Sequence, residues 1–146
     1  MKNNIILFLL GAFMYGLVEI VWRGYSHWTM MIAGGLCFIV FSLIDEKFKA
    51  IPLLYKCIMG SAFITSIELV FGVVFNVFLK LDIWDYSNVP INLFGQICLL
   101  YSVLWGFLCF AAIPFAGLAK RKLTGEKASV EGRRFYELPA QSLGRN

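Results

Sequence analysis

The sequence is poor in charge. Asp, Glu, Lys and Arg together make up 15% of its 146 residues. It holds one histidine, His27, and four cysteines, Cys37, Cys57, Cys98 and Cys109, with no C-x-x-C spacing among them. A single imidazole cannot build a metal centre, and thiols set in apolar stretches without a neighbouring histidine offer no ligand cluster. Zinc, iron–sulfur and thioredoxin-type chemistry are therefore excluded together, and the cysteines read as small buried hydrophobes. There is no G-x-x-x-x-G-K-[ST] loop to cradle the phosphates of ATP. The basic residues form no recognition motif, so no nucleic acid partner is expected. Two acidic residues in the apolar stretches would suffice for acid and base catalysis. However, the chain has no paired intramembrane Asp motif, no His-rich site and no nucleophile beside a base. No enzymatic activity, cofactor or bound metal is expected.

What the sequence has in excess is apolar surface: 60% of residues are hydrophobic and mean hydropathy is +0.75. That balance lies far from a soluble domain and points to an integral membrane protein of one domain. Four apolar stretches, Ile5–Trp22, Thr29–Ile44, Leu53–Leu79 and Ile91–Ala119, give four crossings at roughly 20 residues each, the second short and the third long enough to tilt. Lipid offers no partner to free backbone amides, so each is expected to be helical. The fold class is all-α, a four-helix membrane bundle over residues 1–122. Residues 123–146 lack an apolar period and read as a flexible cytoplasmic tail. No small-residue cleavage site follows the first stretch; Glu19, Trp22 and Arg23 stand where one would be, so the stretch is expected to be a retained span.

Orientation follows from the basic residues near the span ends. Lys2, Lys47, Lys49, Lys56, Lys120, Arg121 and Lys122 fall on one side, Arg23 and Lys80 on the other. Seven against two places both termini in the cytoplasm. The segment Leu81–Gln96, "LDIWDYSNVPINLFGQ", then lies at the extracytoplasmic face. There Trp22, Tyr25, Trp28, Trp84 and Tyr86 read as an interfacial aromatic belt, and Pro90 is placed to open the fourth helix.

Polar residues within spans are costly and normally face the bundle interior. Ser61, Thr65, Glu68, Gly72 and Asn76 recur at helical spacing on the third span. Ala12, Gly16, Glu19 and Arg23 do so on the first, and Asn92, Gly95, Ser102, Gly106 and Cys109 on the fourth. At 1.5 Å per residue, Glu19 and Glu68 lie roughly 21 to 23 Å along their helices, at similar height in the outer half. Arg23 is one turn from Glu19, suited to an i, i+4 ion pair. Glu68 has no basic residue within a turn. Asp85 and Asn92 are expected at the mouth of a polar cavity, with the loop folded back over it. A dimer across the Gly34, Gly35 face of the short second span is also open.

The stretches "VEIVWRGYSHWTMMIAGGLCF" and "SIELVFGVVFNVFLKLDIWDYSNVPINLFGQICLLYSVLW", with the spacing between them, resemble the ABC-transporter type IV, or CmpB-like, family of small bacterial multipass membrane proteins. Trp84 to Ser87, followed by Pro90, Asn92, Gly95 and Gln96, is the most specific part. The resemblance implies a four-helix topology, an inner-membrane location and a transporter or permease-like role, with any ATPase on a separate subunit. It also implies that Glu19, Arg23, Glu68, Trp84, Asp85, Tyr86, Asn92 and Gln96 are the family's polar positions. With Asn76 they form the expected binding set. Two readings follow: a permease-like component whose polar site takes a cation or small cationic solute, and a scaffold, sensor or accessory subunit in which the same residues lock the helices.

Overall fold

A computed structural model describes residues 2–125 of the chain. Among these, four helices are long and apolar enough to cross a membrane: α1 (Lys2–Arg23), α2 (Trp28–Lys47), α3 (Leu53–Phe71) and α4 (Leu99–Thr124). The α1–α2 turn is short because His27 caps α2, its Nδ1 accepting from the Thr29 amide at 3.4 Å and lying 2.8 Å from the Thr29 hydroxyl. The one histidine is thus a helix cap. Leu123 and Thr124 continue α4 and Gly125 caps it; residues 126–146 of the expected tail lie outside the described residues.

α2 is the central helix. It buries ten residues, twice as many as α1, and packs against all three others, while α3 also packs on α4. α1 lies along α2 and meets α4 only sparsely. The close α1–α2 seam is made by Gly34 and Gly35, whose missing side chains admit Tyr15 and Phe8 of α1. That face is therefore occupied within the chain, which removes the basis for a dimer across it.

One core, near the end carrying both termini, gathers Leu7, Phe38, Phe41, Ile44, Ile64 and Ile113. At the same end Asp45 of α2 accepts from Lys56 of α3 at 3.0 Å and from Arg121 of α4 at 2.8 Å, and Glu46 pairs with Lys120. Asn3 Nδ2 also reaches the Leu123 carbonyl, at 3.5 Å. A second, smaller core at the opposite end joins Met30, Ile83 and Trp84, with Tyr15, Phe71, Phe75 and Tyr86 against them.

The connection from α3 to α4 departs most from expectation. α3 runs on into a π-helical segment, Gly72–Phe78, where Leu79 N donates to Val74 O, five residues back, at 3.0 Å. Nor does the fourth helix open at Pro90 or Ile91. Residues Asn92–Leu93 and Ile97–Cys98 form a two-residue antiparallel pair, β1 and β2, and α4 starts only at Leu99. Asn92 and Gly95 are thus loop residues, off the small-residue face of α4. Hydropathy misplaced this boundary because Ile91, Leu93 and Phe94 are apolar yet exposed on the loop.

Candidate functional site

Three groups of polar side chains meet at the loop end of the bundle, and each does something different.

The first ties the loop down. The π segment turns Asn76 toward the loop, where its Nδ2 donates to Trp84 O at 2.9 Å and to Gln96 Oε1 at 3.0 Å while its Oδ1 accepts from Ile83 N at 2.8 Å. Trp84 Nε1 donates to Gln96 O at 2.9 Å. Asn76, Trp84 and Gln96 are all buried, and the bonds satisfy groups that would otherwise be costly in a low-dielectric interior. Gln96 also presses on Gly72, where any Cβ would overlap its side chain. The knot holds a backbone that would not choose its conformation unaided. Lys80, Asp82, Ile91 and Phe94 all have φ between 45° and 55°, at a cost of order 1–3 kcal/mol for each such residue.

The second group is an ion pair. Arg23 Nη2 donates to Glu19 Oε1 at 2.6 Å, and Ser26 Oγ to Glu19 Oε2 at 3.0 Å. Arg23 Nη1 reaches the Ile83 carbonyl at 3.4 Å, joining α1 to the loop. Both Glu19 oxygens are engaged, whereas the buried Arg23 Nε has no partner.

The third is Glu68. It is 4% exposed and has no cationic partner among the described residues. Its Oε1 accepts from the Tyr86 hydroxyl at 3.2 Å and its Oε2 from Trp105 Nε1 at 2.9 Å. Glu68 lines a cavity of about 340 Å³ whose other walls are mostly apolar, among them Phe38, Phe41, Ile64, Phe71 and Phe115. A neighbouring cavity of about 510 Å³ is bounded by Glu19, Arg23, Tyr86, Tyr101 and Trp105. Met14, Tyr15, Val18, Met30, Trp84 and Leu108 line both, so the two chambers share a wall.

The nine residues selected from sequence thus divide. Glu19, Arg23, Glu68, Trp84 and Tyr86 border the cavities; Asn76 and Gln96 sit behind them in the knot. Asp85 and Asn92 line neither cavity. The exposed Asp85 carboxylate turns back on its own loop, where Oδ1 accepts from Ser87 N at 2.8 Å and Ser87 Oγ at 2.6 Å. Those bonds hold its pKa below the usual aspartate value. Asn92 Nδ2 donates to Val89 O at 2.8 Å and its Oδ1 accepts from Gly95 N at 3.1 Å, closing the turn. Trp84 and Tyr86 are not belt residues either; Trp84 is buried and Tyr86 half-buried, while Trp22, Tyr25 and Trp28 remain exposed.

Sequence reasoning passed over Ser26, Tyr15, Tyr101 and Trp105. Trp105 carried a usable signal, lying three residues after Ser102 and four before Cys109 on the same face of α4. That face is stitched to α3 by Ser61 and Thr65, which bond to the Ser102 carbonyl and hydroxyl.

Residues 6–127 match the family model described as "Putative ABC-transporter type IV". No curated protein and no solved structure matches the chain.

Proposed function

Since the chain belongs to the putative ABC-transporter type IV family, we propose that it is the membrane-spanning, solute-handling component of a transporter, with Glu68 at the centre of its binding site. The proposed role is binding and passage, not catalysis. The observation that carries it is the state of Glu68: a buried carboxylate bordering a cavity, held by two neutral donors, with no cation beside it among the described residues. Burying such a group without a charge partner is expensive, and a cationic solute or a proton removes the cost.

In this reading the chain lies in the bacterial inner membrane with both termini in the cytoplasm, as the lysine and arginine distribution favours. An ATPase, where one drives the process, resides on another chain, because this sequence has no phosphate-binding loop. The locking role belongs to other residues. Asn76, Trp84 and Gln96 satisfy one another and face no unfilled requirement, which favours a structural duty for them.

The test is reconstitution of the full chain in liposomes containing a trapped pH dye. Inorganic and organic cations are added outside one at a time, and proton release is followed. Glu68→Gln abolishes the cation-dependent signal while leaving the thermal midpoint in detergent close to that of the parent. An equal signal from a folded Glu68→Gln protein overturns the assignment.

A further inference from the structure

The cavity walls narrow the ligand. Besides the exposed Trp22, the larger chamber is bounded by Tyr15, Trp84, Tyr86, Tyr101 and Trp105, five aromatic side chains from α1, the loop and α4. Four of them form a connected set: Tyr86 stacks on Tyr101 at 4.7 Å between ring centroids, and Tyr101 and Tyr15 each lie 6.2 Å from Trp105. Two of the five, Tyr86 and Trp105, are the donors to Glu68. The carboxylate is thereby fixed at the edge of the aromatic set.

Such a site suits one kind of cation. A small metal ion needs several oxygen ligands to replace its water, and here both Glu19 oxygens are already engaged and both Glu68 oxygens already accept a bond. No group of three or more His, Cys, Asp or Glu able to hold a metal occurs among the described residues. An organic cation spreads its charge over an apolar surface, loses little hydration and is attracted to aromatic faces. The smaller chamber, with Phe38, Phe41, Ile64 and Phe115 on its walls, gives the apolar remainder of such a molecule a place beside Glu68. Together the chambers fall in the size range of small-molecule sites. Glu19, Arg23 and Glu68 sum to a formal charge of −1, which one positive charge balances.

We infer that the Glu68 site takes an amphipathic organic monocation, an ammonium or phosphonium carrying a bulky apolar body, held between the aromatic cage and the carboxylate. The inference rests on the proposed placement of the binding site at Glu68.

The experiment uses the full chain in lipid nanodiscs, with tetraphenylphosphonium as probe and tetraphenylborate as its charge-reversed counterpart of like shape. Binding is read by equilibrium dialysis against protein-free nanodiscs. The phosphonium binds saturably. Affinity falls at least about tenfold in Glu68→Gln and in Trp105→Leu, and less in Trp105→Phe, which keeps a ring but loses the N–H donor. The borate shows no binding that depends on Glu68, and sodium or potassium in large excess does not displace the phosphonium. Equal phosphonium binding by parent and a folded Glu68→Gln protein overturns the inference, as does borate binding of equal strength or displacement by sodium. If Glu68→Gln fails to fold, the contrast between Trp105→Leu and Trp105→Phe decides, and equal affinity in those two and the parent overturns the inference. Phosphonium binding without cation-driven proton release in liposomes keeps this inference and removes the transport reading. Proton release driven by a small hydrophilic cation, with no phosphonium binding, does the reverse.

Discussion

Asn76, on the π segment, donates from its side-chain amide to the carbonyl oxygen of Trp84, eight residues along the chain, at 2.9 Å. Through that bond the wide last turn of α3 sets the position of the loop. Asn76→Ala leaves the Trp84 carbonyl and the Ile83 amide without partners in a buried place. The expected cost is about 2 kcal/mol, between the value for a buried unsatisfied group and the smaller mean for intramembrane bonds. It is read as a lowered thermal midpoint together with increased quenching of tryptophan fluorescence by acrylamide.

Gly72 and Gln96 are coupled by shape. Gly72→Ala places a methyl group into the Gln96 side chain and lowers stability, whereas in Gln96→Ala the same methyl has room. A double-mutant cycle therefore gives a combined loss smaller than the sum of the two single losses. Additive losses indicate that the two residues do not meet.

Asp45 holds the termini-bearing ends of α2, α3 and α4 together. Lys56 is 7% exposed, and Asp45→Asn strands its ammonium. The expected loss is about 3 kcal/mol, as for other broken buried pairs. Replacing both, Asp45→Leu with Lys56→Met, recovers much of that loss, because the one charge left without its partner, Arg121, has a side chain 38% exposed, where water compensates it. Chemical or thermal unfolding in detergent measures both variants.

Asp85 gives the loop an acid dependence. Its folded pKa lies below the ordinary aspartate value, so the folded loop favours the carboxylate. The contribution to stability is fully present above the ordinary value of about 3.9 and is lost as pH falls through the folded one. Asp85→Asn, which mimics the protonated form, has a lower midpoint than the parent at neutral pH, and the gap closes on acidification. A gap that widens in acid contradicts this.

Much of the helical framework is legible in the sequence because hydrocarbon leaves apolar runs no alternative to helix. The spacing of Ser61, Thr65, Glu68, Gly72 and Asn76 likewise picks out a face whose last three members are buried. Legibility fails where hydrogen bonds, not hydropathy, decide. Ile91–Leu93 reads as the opening of a span, yet Asn92 and a left-handed Gly95 fold it into a turn. Trp84 looks like an interfacial aromatic until Gln96 supplies a carbonyl for its indole N–H. Which donors Glu68 finds cannot be read from its own helix, since Tyr86 and Trp105 come from 18 and 37 residues away.

The sparse contact between α1 and α4 has a bearing on measurement. Trp84 lines both cavities and Tyr86 the larger; under the proposed function a solute enters through this thin seam and dissolves in lipid before it meets Glu68. The concentration that governs occupancy is then the one in the bilayer. Apparent affinities referred to the aqueous phase will shift with the lipid-to-protein ratio, and those referred to the mole fraction in the membrane will not.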